Sequence, residues 1–290
     1  MNVIEARFYE TYYFCNLIDN IVSFPDPYIH GMNEFYGDGK IFDLVEPFSK
    51  YSAFHDFIEF IVDDVYHEEA GKVDLDKRRS LLEDFSGIPE SLCHTKPKTL
   101  PIEHAFEFYD IEFLTFESYL KDEGKSFLEA SEDDVNEYMF EVRMNECYQE
   151  LIERTVKEIF HVLFQNRILM MGFNQIMADS LERESGFHSE VKNGKLFSKN
   201  GKLKRKSIPK WVRRAVFFRD RGRCVLCNKD LSGVLSLESQ ENYDHMIPLS
   251  GYGMNDISNI QLLCKECNQY EKKSGPGVTT ARYESWYSYD

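Results

Sequence analysis

The amino-acid sequence predicts a mainly α-helical protein that ends in a small module of different construction. Three observations carry that prediction. Apolar residues recur at helical spacing through most of the first 185 positions. The charge changes sign along the chain: residues 1–200 hold 19 Lys+Arg against 40 Asp+Glu, a net of −21, while residues 201–290 hold 15 against 10, a net of +5. Four of the seven cysteines gather in that basic end as two C-x-x-C pairs, Cys224/Cys227 and Cys264/Cys267. At 290 residues the chain suits about two domains.

The helical part reads as follows. Residues 2–22 place Ile4, Phe8, Tyr12, Phe14, Leu17 and Ile18 at helical intervals. A Pro/Gly/Asp-rich loop follows from Phe24 to Lys40. Residues 52–69 put Phe54, Phe57, Ile58, Ile61 and Val65 on one stripe, and a further helix is expected over Ile102–Leu120 after a break at Lys96–Pro101. Ser131 with Asp134 forms a capping-box start, and apolar positions then recur to about Leu181, in one helix or two. Asn166, Arg167 and Asn174 interrupt that apolar run and are expected to cap, to bond another helix or to sit at an interface.

Residues 1–185 are thus an acidic helical domain, 186–206 a basic linker rich in Gly, Ser, Asn and Lys, and 207–290 a separate domain. In the last, Ser207 can cap a helix with Pro209 in its first turn and Gly222 as its stop. Its spacing sends Trp211, Ala215 and Phe218 inward and Lys210, Arg213, Arg214 and Arg221 outward. The acidic region is a solvated surface or a screen for the basic module.

Composition excludes several classes. With 42% hydrophobic and 14% aromatic residues the chain is neither disordered nor fibrous. The N-terminus lacks the basic start of a signal peptide, and polar residues break the most apolar stretch, Ile159–Met177, so no membrane partner is expected. A cytoplasmic protein is the expectation. In a reducing compartment two matched C-x-x-C pairs favour a tetrahedral metal over disulfides, and four thiolates suit a closed, structural Zn²⁺ site. Cys15, Cys93 and Cys147 stand singly and read as small buried hydrophobes.

Between the pairs lie Asp244-His245, Pro248, Gly251, Gly253 and Asn259, and Asn268 follows the last cysteine. These residues, from Arg223 to Lys273, resemble the HNH (His-Me finger) endonuclease family. The resemblance covers under a third of the chain. It implies a ββα-metal finger, hence a small α+β module, with strands around Tyr243–Ile247 and a helix from about Cys264. His245 stands at the family's general base, a task suited to an imidazole that titrates near neutrality. Asp244 and Asn268 stand at the metal-ligand positions, where hard oxygens suit Mg²⁺ or Mn²⁺. Asn259 stands where the family braces the loop carrying the base.

The implied activity is metal-dependent phosphodiester hydrolysis in DNA, one strand per finger, so that a double-strand cut needs a dimer or two nicks. Lys204, Arg205, Lys206, Lys210, Arg213, Arg214, Lys272 and Lys273 are the candidate phosphate contacts. The alternative for these basic residues is a solvated face or an intramolecular partner for the acidic region. Partners implied are double-stranded DNA and, through residues 1–185, a second copy or a regulatory protein. The joining of such a finger to a helical region resembles bacterial restriction-type or anti-phage defence effectors. The rival readings are a non-catalytic zinc module that binds nucleic acid, an interaction protein with a vestigial finger, and the same chemistry on RNA.

Overall fold

The computed structural model describes residues 4–84, 96–187, 195–232, 242–271, 277–285 and 287. Cys93, Lys272 and Lys273 lie outside the described residues. The architecture is mainly helical, with one small two-stranded sheet at the C-terminal end. The helices are α1 (Thr11–Ser23), α2 (Ile29–Tyr36), α3 (Ala53–Gly71), α4 (Leu75–Asp84), α5 (Pro101–Phe108), α6 (Phe116–Asp122), α7 (Glu132–Arg143), α8 (Glu146–Leu163), α9 (Arg167–Phe187) and α10 (Lys210–Arg219). Strands β1 (Tyr243–His245) and β2 (Ile260–Leu262) pair antiparallel. Among the described residues no helix is long and apolar enough to cross a membrane.

By its internal contacts the chain divides into two compact units, unit 1 of residues 1–12 and 59–158, and unit 2 of residues 13–58 and 159–290. Unit 1 packs Phe116, Tyr119, Phe127 and Tyr138 ring against ring around α6 and α7. Three acids serve its backbone. Asp134 closes the capping box with Ser131 foreseen for α7. Glu103 accepts the N–H groups of Leu100 and Phe116, and Glu158 accepts those of Arg7 and Phe8 together with the hydroxyls of Thr11 and Tyr109.

The departures from the expected helices have local causes. Residues 4–10 are not helical, because Phe8 (φ 61°) and Glu10 (φ 51°) are left-handed and Glu158 ties this segment down, so α1 starts at Thr11. The expected 24–40 loop contains α2, whose eight residues are too few to show a period yet bury Met32, Phe35 and Tyr36. The 102–120 helix is two, parted where Asp110 turns left-handed (φ 53°) and Thr115 caps α6. The run from Ser131 is three helices, the last restarted by the Asn166 side chain, which accepts the Leu169 N–H. Helix α4 was not foreseen; its surface is mostly polar.

In unit 2 the core is aromatic. Phe54 and Phe57 meet Phe173 at 4.9 and 5.3 Å, and His55 stacks on Phe160 at 3.7 Å. The start of α3 and the middle of α9 meet the segment before β2 through polar side chains. Asp256 accepts the Ala53 N–H at the α3 N-terminus, and Asn174 of α9 donates to Ser258, which itself donates to Asp256. Burial pushes the Asp256 carboxyl above its usual range, against the pull of these donors. Of the residues that broke the apolar pattern, Arg167 thus meets irregular backbone at Thr280, and Asn174 the Ser258 side chain, within their own unit.

Candidate metal centre and active site

Helix α10 leads into the first cysteine pair. Its N-terminal flank is the extended Pro209, and its C-cap residue is Asp220. The expected facing needs correction. Phe218 is exposed, whereas Arg213 and Arg219 are buried with Val212 and Val216; Lys210 and Arg214 alone of the expected cations on this helix are exposed. A pattern that sends all charges outward fails here because Arg219 has an anionic partner inside. Its Nε donates to Asp220 Oδ1 at 2.8 Å, its NH2 donates to the Ile260 carbonyl, and Asp220 Oδ2 accepts the Leu262 N–H. These bonds hold β2 against α10.

The turn after α10 brings Cys224 and Cys227 beside Cys264 and Cys267, which follow β2. The four Sγ atoms lie within 4.8 Å of one another, with Cys227 and Cys264 at 3.7 Å. Four sulfurs at about 2.3 Å from one tetrahedral ion stand roughly 3.8 Å apart, a spacing close to that of the cluster. Burial pushes the Cys264 thiol up to about 11 and raises Cys267 as well. Zinc binding therefore displaces protons here. The Val225 N–H donates to the Leu262 carbonyl, which joins the first pair to β2.

On β1, His245 faces inward opposite Ile260 and is 1% exposed, while Asp244 opposite Gln261 reaches the surface. His245 Nδ1 and Asp244 Oδ1 are 3.9 Å apart. Asn259 is fully buried and clamps the loop that leaves β1. Its Oδ1 accepts the Ile247 N–H at 2.8 Å, and its Nδ2 donates to the carbonyls of Ile247 and Met254 at 3.0 and 2.9 Å. Its own carbonyl accepts the Met246 N–H. The loop closes so tightly that a Cβ on Gly253 would stand 2.0 Å from the Ile247 carbonyl oxygen. Asn268 sits half-buried in a π-helical turn, Cys267–Glu271, where a helix from about Cys264 was expected; its N–H donates to the Cys264 carbonyl.

The basic segment is anchored to the same loop. Lys204 N–H donates to the Leu196 carbonyl, closing a small hairpin through the Phe197–Leu203 bridge. Asn255 then holds the next residues from both sides, its Nδ2 on the Lys204 carbonyl and its Oδ1 on the Lys206 N–H. Lys204 and Arg205 are exposed and Lys206 is half-buried. The Arg205 guanidinium donates to Asp244 Oδ1 at 2.8 Å. Asn255, Asp256 and Ser258 were missed by sequence reasoning. The short-range signal existed, since an Asp two residues before a Ser suits a side-chain-closed turn, and Asp256 does accept the Ser258 N–H. A C-terminal strap, residues 277–285, was missed too. Its Val278 N–H donates to the Met246 carbonyl, and Arg167 binds its Thr280 carbonyl and stacks on its Tyr283 ring at 4.0 Å.

Residues 224–274 match the model of the family described as HNH endonuclease. The match spans both cysteine pairs, β1, Asn259 and Asn268. No curated protein and no solved structure matches the chain. The C-terminal region therefore carries an HNH endonuclease domain with a four-cysteine zinc site, which implies action on nucleic acid.

Proposed function

We propose that the protein is a cytoplasmic metal-dependent endonuclease that hydrolyses phosphodiester bonds in double-stranded DNA, with His245 as its general base. The observation that carries this reading is the clasp around β1. A binding module has no use for a histidine set beside a carboxylate and fixed by a fully buried asparagine, yet Asn259 spends three hydrogen bonds on the loop that follows His245.

The donor chemistry suits a hard divalent ion. Asp244 already holds a cationic group at 2.8 Å, and the carbonyl oxygen of Asn268 is the second donor. Asp244 and Asn268 would hold Mg²⁺ or Mn²⁺, whose positive charge would stabilise charge developing on the phosphate oxygens. His245 takes the proton from the attacking water, and Asn259 keeps its backbone in place for that transfer. Lys204, Arg205, Lys206, Lys210 and Arg214 offer charge to the phosphate backbone. Zinc holds the cysteine turns and takes no part in the chemistry. A single finger nicks one strand. A restriction-type or defence role, in which residues outside the finger recognise a partner or a second copy, is consistent with the joining of the two units in one chain.

Supercoiled plasmid and a structured RNA incubated with the zinc-loaded protein test this reading. Nicked plasmid with Mg²⁺ or Mn²⁺, absent with EDTA, is the expected result. RNA cleavage without plasmid cleavage would move the substrate to RNA, and retarded but uncut DNA would leave a binding module.

A further inference from the structure

We infer that Arg205 and the divalent ion exchange places on Asp244, so that Arg205 couples metal binding to phosphate binding. This rests on the reading of Asp244 as a metal ligand given above. The geometry starts from the backbone. The residues flanking Arg205 are both bonded to the Asn255 side chain, which fixes where its Cα stands, and its guanidinium donates to Asp244 Oδ1 at 2.8 Å. Asp244 is largely covered, 17% exposed at its side chain, whereas Arg205 is 65% exposed. The pair therefore has a fixed anion and a cation free to swing outward on a long side chain.

One carboxylate oxygen cannot give its charge fully to a guanidinium and to a divalent ion. A hard divalent ion concentrates its charge on oxygen donors and takes that oxygen. The displaced guanidinium then presents planar, paired N–H groups, the geometry that phosphate oxygens accept best. Lys202 in the same segment is engaged elsewhere, on the Ser250 carbonyl and over the Tyr252 ring, while Arg205 is set on Asp244. A phosphate that draws Arg205 away relieves the competition at Asp244. By linkage the ion strengthens phosphate binding to the same degree that phosphate strengthens ion binding.

The test is Mn²⁺ titration of the full-length, zinc-loaded protein, read by electron paramagnetic resonance. Without DNA, Arg205→Gln is expected to bind Mn²⁺ about twofold to fivefold more tightly than wild type, the range an exposed ion pair allows. Arg205→Lys, which keeps the charge, is expected to stay near wild type. In a His245→Ala background that prevents cutting, a short duplex is expected to raise Mn²⁺ affinity when Arg205 is present and to raise it less in Arg205→Gln. Equal or weaker Mn²⁺ binding by Arg205→Gln overturns the exchange. Asp244→Asn separates the two readings: if it leaves Mn²⁺ binding unchanged, Asp244 is not the ligand and the metal-site reading falls, and the exchange with it.

Discussion

Unit 1 and unit 2 both bury polar side chains, but they put them to different use. In unit 1 the buried acids Glu103 and Asp134 accept N–H groups of helix starts near them in sequence, and of the three buried acids Glu158 alone reaches far along the chain, to the irregular 4–10 segment that precedes α1. In unit 2 the buried polar groups reach across long sequence distances to irregular chain. Asn174 meets Ser258, Arg167 meets residues 280–283, Asp256 meets Ala53, and Asn259 closes 247–254. A helix satisfies its own backbone, whereas the loop beside β1 leaves N–H and C=O groups that side chains must meet. Both units pack aromatic rings, and unit 2 adds to them a long-range polar network and the four-cysteine cluster.

Removing zinc should separate the units most strongly. Structural zinc sites are worth on the order of 10 kcal/mol. Stripping the metal with a strong chelator, or Cys264→Ser, is expected to abolish hydrogen-exchange protection in β1 and β2 while α7 keeps its own. Equal loss in both would erase the contrast. Next in size, Asn259→Ala strands the Ile247 N–H and two carbonyls, and should cost about 3 kcal/mol in urea unfolding. Glu158→Ala in unit 1 strands donors that water can partly reach at the 4–10 segment, so about 2 kcal/mol is expected. If the order of these two is reversed, the polar network of unit 2 matters less than argued.

The smallest effect is a pH dependence in unit 1. Burial raises the Glu103 carboxyl above its usual range, although the Leu100 and Phe116 N–H groups pull it down. A carboxyl raised in the folded state binds its proton more tightly there than in the unfolded chain. Its contribution is complete below the ordinary carboxylate value of about 4.3 and is lost as pH rises through the raised one. Glu103→Gln should flatten the stability profile of the protein across that window, and an unchanged slope would assign it to other carboxyls.

Much of the site was legible because its signals are local. Each C-x-x-C pair places its own two thiols by turn geometry, and the Asp244-His245 pair alternates across a strand as any two neighbours must. The capping box at Ser131 was legible for the same reason. What sequence reading missed is non-local. That Asn174 would pair with Ser258, 84 positions away, or that Arg219 would turn inward to Asp220 and β2 while Phe218 stayed outside, is decided by partners that no periodicity names. The Asn255 hold on 204–206 belongs to this class, and it sets Arg205 on Asp244 rather than in open solvent.

Supercoiled plasmid cleavage by wild type and His245→Ala, matched for zinc content and melting temperature, decides whether His245 is the general base of the HNH domain. General-base removal should slow nicking by about 10²- to 10⁴-fold with the fold intact. Nicking by His245→Ala at the wild-type rate would take the general-base role away from His245.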